Sequence, residues 1–528
     1  MDGGPVVEKH WSCSTASTDV SDRPVVEEHW SETLAYVHKR RLLANNFDSV
    51  PDDVFRGVDS LSLLKAGPKL LSTSQGNELT FQLSQEFPEA CKILNKFISH
   101  TWRSKGTHKY MTLLYISNAA FAVKVAHTVG FLTFAILVCL SFVSSEQSDL
   151  VKRLFTVQFN VPDFAGGAKS CGTCLAPFFV AGPVLIVAAM LGQNLRSQGE
   201  KYFFDKCCIV QDDAELKAKG IGSIGGFLSQ SDQLCVLWDT DYFERLWCNF
   251  EVSAFMASKG AKSLEKITIV PLYMGVFAFA ICAWLFVAFC CFYVTFKWND
   301  SVEYLSFLES VPWFWAFHAC ISMLTCYLPK QLFALWTMKS LHIMMRDIKR
   351  FSIRASKCSD ESDRTFVEGY VETHFGSFEV FDKAVRGCFT ELVNRSVGTT
   401  CSRQTYWLGH FCCSTFLVLV TVYGPILWVF QLSGKMDYEL LLRCTVFGLW
   451  QTFAFCPLVF AVTSGVGYLA FNMRPIRATC TVALANLVGS LIQPASLIVV
   501  LWCPIWLPLS ALFIGCFVMT VIFKILPV

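Results

Sequence analysis

Eight long apolar segments divide the chain. Each holds roughly 20 mainly hydrophobic residues, the length that a helix needs to cross the hydrocarbon core of a bilayer. The segments are 124–143, 175–193, 274–296, 311–328, 408–432, 441–471, 480–502 and 505–523. The fourth is the weakest, because it begins at Pro312 and contains His318. The pattern predicts an α-helical membrane bundle of about eight spans.

Short apolar runs of strand length lie between the spans. Ile93–His100 precedes the first span, and Tyr202–Asp205 follows the second. Because two spans return a chain to the side of the membrane that it left, the two runs can pair in one sheet. We therefore predict an α/β domain assembled from discontinuous segments, with a membrane hairpin inserted into it.

The segments after Tyr202–Asp205 alternate between helix-like and strand-like patterns, which is typical of a doubly wound parallel sheet. We expect a fourth strand to run directly into the third span, and a last strand and helices to come from the loop after the fourth span. The predicted elements are a helix at 214–219, a glycine-rich turn at 220–226, strands at 233–238 and 266–273, a helix at 243–255, a strand at 349–354 and helices at 362–375 and 378–388.

These patterns give a domain organisation that begins with a flexible tail. Within this tail Pro5–Ser12 recurs almost intact as Pro24–Ser31, a duplicated motif whose role stays open. The predicted units are the tail 1–60, the first part of the α/β domain 61–111, the inserted hairpin 112–193, the second part of the domain 194–273, spans three and four 274–328, a loop with an interfacial helix and the last α/β elements 329–406, and spans five to eight 407–528.

Composition and charge limit the class of protein. The chain is 53% hydrophobic and only 16% charged, whereas soluble domains are about 25% charged. The net charge of +2 gives no basic excess for a nucleic-acid backbone, so the expected partner is the lipid bilayer. No cleaved signal peptide is recognisable, so the first span is expected to direct insertion.

Lysine and arginine are distributed unevenly between the loops. Segments 194–267 and 329–406 carry nine and twelve, whereas 144–174, 297–310 and 433–440 carry three, one and one. Because cytosolic loops retain positive charge, we expect both termini and the α/β domain to lie in the cytosol, at the plasma membrane or an endomembrane. The stretch 330–354 alternates apolar and basic positions, so it is either an interfacial helix or a continuation of span four.

Metal and phosphate motifs are weak. Cys171 and Cys174 form a CxxC pair that is compatible with a redox pair, half of a zinc site, a disulfide or two ordinary thiols, and no second pair completes a zinc pattern. His100 and His108 lack partners at ligand spacing. The glycines of 220–226 are not followed by Gly-Lys-Ser/Thr, so an NTPase P-loop is not supported. We predict no metal site and assign no cofactor.

Several motifs resemble those of TIR (Toll/interleukin-1 receptor) domains, which have a flavodoxin-like parallel sheet. Phe97–Arg103 (FISHTWR) resembles the first-strand motif, and Phe204-Asp205 resembles the acidic end of the second strand. The helix motif Trp247-Cys-Asn-Phe-Glu251 resembles the Trp-Cys-x-x-Glu of plant-type TIR domains, and Ile269–Pro271 resembles the fourth strand. The likeness covers about 90 non-contiguous residues. A similar arrangement is found in a group of multi-pass proteins of unicellular eukaryotes.

The resemblance implies an NAD-cleaving activity. In catalytic TIR domains the Glu of this motif contacts the ribose on the nicotinamide side, which makes Glu251 the expected catalytic residue and NAD a possible substrate. A carboxylate suits this chemistry because glycosidic cleavage develops positive charge. The alternative is a helix carboxylate paired with Arg245 or Lys259. The expected binding residues are Ser99, Trp102, Arg103, Asp205 and Trp247, each also explicable by packing or by capping of a strand end.

Three functions remain open at this stage. The first is a membrane signalling or scaffold protein that self-associates through the TIR-like domain. The second is a NAD glycohydrolase that uses Glu251, and the third is a channel or transporter regulated by the domain. Ionisable residues in the spans, such as Lys124, His127 and His318, lie mostly near span ends, so ion-coupled transport has the weakest support.

Overall fold

A computed structural model describes residues 50–72, 81–86, 93–143, 145–162, 168–260, 263–299, 339–340, 342–358, 361–395, 418–431, 438–449 and 484. The predicted tail repeats, the fourth span and the eighth span lie outside these residues, and of the seventh span only residue 484 is described. The predicted fifth and sixth spans fall only partly within them.

Three helices of the described part are long and apolar enough to cross a membrane. They are α3 (Gly106–Val143), α5 (Ala176–Leu191) and α11 (Tyr273–Asn299). These helices correspond to the first three predicted spans. The sequence placed the start of the first span at residue 124, but the helix begins at Gly106, so its first part belongs to the α/β domain.

A six-stranded sheet forms the centre of the α/β domain. Its strands are β1 (Arg56–Asp59), β2 (Ser84–Glu86), β3 (Leu94–His100), β6 (Lys201–Phe203), β7 (Ser231–Trp238) and β8 (Ile267–Pro271). Their order across the sheet is β2-β1-β6-β3-β7-β8. Strands β6, β3, β7 and β8 are parallel, while β1 pairs antiparallel with both β2 and β6.

The register of the sheet confirms that the strands before and after the hairpin pair with each other. Lys96 and Phe97 of β3 lie opposite Tyr202 and Phe203 of β6, although α3 and α5 separate these strands in the chain. On its other side β3 pairs with β7 over most of its length, with Phe97 opposite Leu234. The strands on both sides of the membrane hairpin therefore belong to one sheet.

Aromatic side chains fill the core on one face of the sheet. The rings of Phe97 and Phe203 stack with centroids 4.5 Å apart, and Phe203 lies equally close to Phe227. Phe227 in turn stacks on Phe55. Full burial of side chains of this size is the main favourable contribution to folding, about 2–3 kcal/mol each.

Helices and short turns surround the sheet and connect the spans. A second, two-stranded antiparallel sheet, formed by β4 (Thr156–Pro162) and β5 (Ala168–Cys174), lies between α3 and α5 in the chain. The remaining elements are α1 (Ser60–Lys65), α2 (Pro68–Ser72), α4 (Ser145–Phe155), α6 (Asp205–Cys208), α7 (Ala214–Gly222), α8 (Ile224–Gln230), α9 (Leu246–Lys259), α10 (Ser263–Lys266), α12 (Glu361–Phe375), α13 (Phe378–Arg395), α14 (Gly424–Gln431) and α15 (Tyr438–Leu449).

Several sequence expectations are wrong in detail. The predicted glycine-rich turn 220–226 is divided between helices α7 and α8, because Ile221, Ile224 and Phe227 supply apolar positions that a helix buries. The predicted strand 349–354 is absent from the described residues, where 353–355 form a 3-10 turn. The helices expected after it are confirmed as α12 and α13. Residues 342–349 are helical, which both an interfacial helix and a continuation of span four require.

The CxxC pair lies in strand β5 between the first two spans. Cys174 is buried and forms no disulfide among the described residues. It pairs in register with Thr156 of β4, and its neighbour Thr173 donates to the carbonyl of Val420 at 2.9 Å. Among the described residues no group of His, Cys, Asp and Glu side chains could hold a metal ion.

Helices α3 and α11 cross in close contact where they leave the sheet. The Thr112 hydroxyl of α3 donates to the carbonyl of Leu272, between β8 and α11, at 2.9 Å. A Cβ atom added to Gly275 would lie 2.4 Å from the backbone of Met111 and of Thr112. Only glycine allows the two backbones to approach so closely.

We predict that Gly275→Ala lowers the free energy of unfolding by about 1–3 kcal/mol, because rigid backbone blocks the added methyl group. Gly369→Ala is the matched control: its Cβ meets nothing within 4 Å, and alanine favours a helix interior by about 0.5–1 kcal/mol over glycine. Thermal unfolding of the full-length protein in detergent measures both. Equal midpoints for the two variants would contradict the close crossing.

Candidate functional site

The candidate site lies at the carboxyl ends of the parallel strands. From β3 the chain continues to β6 on one side, and β7 lies on the other side. Such a reversal of strand order opens a crevice at the carboxyl edge, where ligands bind in open α/β sheets. The residues around this point come from the ends of β3, β6 and β7 and from the start of helix α9.

Glu251 lies at the centre of a short hydrogen-bonded chain. Ser99, the penultimate residue of β3, donates from its hydroxyl to Glu251 Oε2 at 2.5 Å. The Tyr242 hydroxyl lies 2.5 Å from Ser99 Oγ, so Tyr242 donates to Ser99 when Ser99 donates to Glu251. Ser99 and Tyr242 are fully buried, whereas Glu251 retains some exposure. These hydrogen bonds therefore fix one carboxyl oxygen of Glu251 and leave its side chain partly accessible to solvent.

Burial raises the pKa of Glu251 to about 8, and the negative charge of Asp205 adds to this effect, while the hydrogen bond from Ser99 opposes it. A carboxyl group with this pKa is largely protonated at neutral pH and becomes a carboxylate above pH 8. Carboxyl groups shifted in this way are typical of acid–base sites, although structural networks also produce them.

The Trp-Cys-x-x-Glu motif fastens the start of α9 to its neighbours. Cys248 donates from its thiol to the carbonyl of His100 at 3.6 Å, at the end of β3. The Trp247 indole donates to Asp363 Oδ2 at 2.8 Å and stacks on Phe366 of α12. Cys248 and Glu251 of this motif therefore contact β3, and Trp247 contacts helix α12.

A second group of side chains lies beside the hydrogen-bonded residues Ser99, Tyr242 and Glu251. Trp102, just after β3, is 42% exposed and donates from its indole to Asp205 Oδ2 at 2.5 Å. His100 Nε2 is 3.9 Å from Asp205 Oδ1, but burial lowers the pKa of His100 to about 3 despite that neighbour. His100 is therefore neutral and packs against Phe204 rather than forming an ion pair.

At this edge of the sheet Lys109 is buried and Asp239 is half-buried. Thr101 donates to Asp239 Oδ2 at 2.6 Å, and burial raises the pKa of Asp239. Lys109, in the first turn of α3, is fully buried within electrostatic range of Asp205 and Asp239. Within the described chain its ammonium has no hydrogen-bond partner. Its charge therefore offsets those of the two carboxylates without a direct contact.

The structure brings together four of the six residues singled out from the sequence. Ser99 and Glu251 are bonded, Trp102 and Asp205 are bonded, and Asp205 lies within electrostatic range of Glu251. Arg103 is exposed in the loop after β3. The Trp247 ring is engaged by α12, which favours the packing interpretation for this residue.

Sequence analysis missed Tyr242, Asp239 and Lys109 as members of the group. The polar stretch Asp239-Thr-Asp-Tyr242 directly follows a buried strand. In a parallel sheet that position lies at the same edge as the ends of the other strands, which is the signal that could have found it. Lys109 carries no such signal, because a lysine near the start of a helix is usually exposed.

We expect Glu251→Gln to change how stability depends on pH. The unfolded chain loses the proton of Glu251 near pH 4.5 and the folded protein near pH 8, so the free energy of unfolding of the wild type falls between these values and then levels off. The neutral amide removes this loss. At pH 8 the variant should be more stable by at least about 1 kcal/mol, measured as the difference in unfolding midpoint. A difference independent of pH between 5 and 8 would contradict the raised pKa.

Comparisons with known proteins place no further constraint on this site. Family models, curated proteins and solved structures were each searched, and none matches this chain.

Proposed function

We propose that this protein is a membrane signalling protein in which a cytosolic TIR-like domain and the membrane helices act as one unit. The observation that carries the proposal is the direct continuity between sheet and spans. Helix α3 begins six residues after β3 ends, and α11 begins two residues after β8 ends. Structural change at the carboxyl edge of the sheet would thus reach the membrane helices without a flexible linker.

The sheet topology supports the TIR-like part of the proposal. Numbered along the chain, the four parallel strands lie in the order second, first, third and fourth. Flavodoxin-like sheets begin with the same order. TIR-like sheets do not require the antiparallel strands β1 and β2. They also do not require membrane helices in place of two surface helices.

The excess of lysine and arginine in segments 194–267 and 329–406 supports a cytosolic position for the domain. The β4–β5 hairpin, with three such residues in segment 144–174, would then lie on the opposite side. Self-association through the domain is the expected mode of signalling, as the TIR resemblance implies.

An epitope tag inserted after Asp212 and one inserted between β4 and β5 test this arrangement. Selective permeabilisation of the plasma membrane should expose the tag after Asp212. The tag between β4 and β5 should be accessible only from the non-cytosolic side, which is the cell exterior at the plasma membrane and the lumen at an endomembrane. Tags accessible on the same side would overturn the proposed placement of the domain and its spans.

A second function, cleavage of NAD, is favoured by the geometry at Glu251. Glu251 is held by Ser99 and lies within electrostatic range of Asp205, to which the exposed Trp102 is bonded. This arrangement suits a ribosyl substrate, because the carboxylate offsets positive charge that develops at the anomeric carbon. Trp102 offers an aromatic face for a base or nicotinamide ring. The channel or transporter hypothesis gains no comparable support from the described residues.

Glu251 has to be ionised to act in this way. Because its pKa is raised to about 8, we predict that NAD cleavage by the full-length protein increases with pH and levels off above about pH 8. Glu251→Gln should lower the rate by at least about 100-fold, as expected for loss of a charge-stabilising group. Glu265→Gln, which changes an exposed carboxylate on α10, is the matched control and should retain the rate.

Ser99→Ala separates catalysis from folding. The Ser99 hydrogen bond lowers the pKa of Glu251, so its loss should move the midpoint of the pH–rate profile to higher pH while activity at high pH is largely retained. Release of nicotinamide, followed by chromatography, measures all four proteins. If the wild type releases no nicotinamide between pH 6 and 9, NAD cleavage is wrong and the signalling proposal stands without it.

A further inference from the structure

A buried polar cluster joins the first two membrane helices at one level. Asn118 of α3 is fully buried and donates from its amide to the carbonyl of Ala189 at 3.1 Å and to Gln193 Oε1 at 2.8 Å. Arg196, just after α5, donates from its guanidinium to Asn118 Oδ1. These contacts fix Arg196 against both helices.

This cluster marks the boundary between the α/β domain and the apolar part of the spans. Before Asn118, helix α3 carries Lys109 and Thr112, which contact or face the sheet region. Beyond it, large apolar side chains of α3 such as Phe131, Leu132 and Ile136 are exposed, as expected for a surface that faces lipid. The level of Asn118 is therefore where the headgroups of one leaflet would lie.

Two basic side chains, Arg196 and Lys124, and two exposed leucines lie within about two helical turns of the Asn118–Gln193 pair along α3 and α5. Leu191 and Leu195 are 51% and 70% exposed. The Arg196 guanidinium carbon lies 5.5 Å from the centroid of the Phe121 ring, and Lys124, exposed, follows one turn later on α3. Apolar side chains that enter the acyl region beside basic groups that reach the headgroups are typical of an interfacial lipid contact.

The nearest carboxylates are turned towards the domain. Asp59 and Glu200 are within electrostatic range of Arg196. Asp59 accepts from the backbone N–H groups of Ser62 and Gly199 at 2.9 and 2.8 Å. Glu200 accepts from Lys96 at 2.5 Å and from the Tyr202 hydroxyl at 2.8 Å. Their charges are thus engaged by other donors, which leaves the outward side of Arg196 basic.

We propose that Lys124 and Arg196 bind the phosphate of an anionic phospholipid in the leaflet next to the α/β domain, with the Asn118–Gln193 pair holding Arg196 in place. The proposal rests on the membrane placement proposed above. The ligand chemistry is a phosphate group carried by two acyl chains, which distinguishes it from free inorganic phosphate. Each basic side chain near an anionic surface contributes about 1 kcal/mol.

The test uses the full-length protein in a neutral detergent, titrated with dioleoylphosphatidylglycerol, dioleoylphosphatidylcholine or inorganic phosphate. Phosphatidylglycerol should raise the unfolding midpoint at lower concentrations than phosphatidylcholine does. In Lys124→Gln the half-saturating phosphatidylglycerol concentration should rise about fivefold, because the variant loses one basic side chain that contributes about 1 kcal/mol to binding. Lys217→Gln, a change on α7 in the α/β domain, is the control and should match the wild type.

Two further results decide the proposal. Arg196→Lys keeps the charge and should retain phosphatidylglycerol selectivity, which separates charge from any folding defect of Arg196→Gln. Equal protection by both lipids, protection by inorganic phosphate at the same concentration, or an unchanged response in Lys124→Gln would overturn the lipid site. If the expressed protein is released from membranes by alkaline carbonate, the membrane placement itself fails; if it stays bound but shows no selectivity, only the lipid site fails.

Discussion

The parallel hydrogen bonding of β3 to β6 is the constraint on which the rest of the structure depends. These strands are adjacent in the sheet, yet a helical hairpin of two apolar helices separates them in the chain. The ladder can form only if the hairpin leaves the domain and returns to it at nearly the same place. Unpaired strand edges are costly near hydrocarbon, so the pairing also keeps the polar backbone out of the apolar layer.

Helices that are long and apolar enough to cross a membrane take the positions that surface helices have in a soluble doubly wound protein. Helix α3 follows β3 and α11 follows β8, so two spans are rooted in the sheet itself. The close approach at Gly275 and the Thr112 hydrogen bond to Leu272 join these two spans where they leave the sheet. The hydrogen bonds of Asn118 likewise join α3 and α5. The α/β domain is therefore braced by its own membrane segments.

The sequence predicted the elements whose pattern is set by local physics. Long apolar runs gave the first three spans, and the strands β3, β6, β7 and β8 were found from short apolar runs and the parity of the hairpin. The helix of Glu251 was found from apolar spacing.

Predictions failed where tertiary burial overrode local preference, as with the glycines of 220–226, which are helical because the neighbouring apolar residues are buried. Strands β1 (RGVD) and β2 (SQE) are mostly polar and contain no apolar run that would mark a strand. The pairing of Ser99 with Tyr242 depends on long-range packing that no local pattern contains.

Helix α3 contains 38 residues in one uninterrupted stretch, which corresponds to a rod of roughly 57 Å. Its first turn places the Lys109 ammonium beneath the strand ends, and its last turns reach the far end of the apolar layer. A rod of this kind transmits rotation as well as translation. Rotation of its distal end by one residue position, about 100°, would carry Lys109 away from Asp205 and Asp239 and weaken the positive potential at both carboxylates. The electrostatic potential at the sheet edge is thus tied to the azimuthal orientation of a single helix that is long and apolar enough to span a membrane.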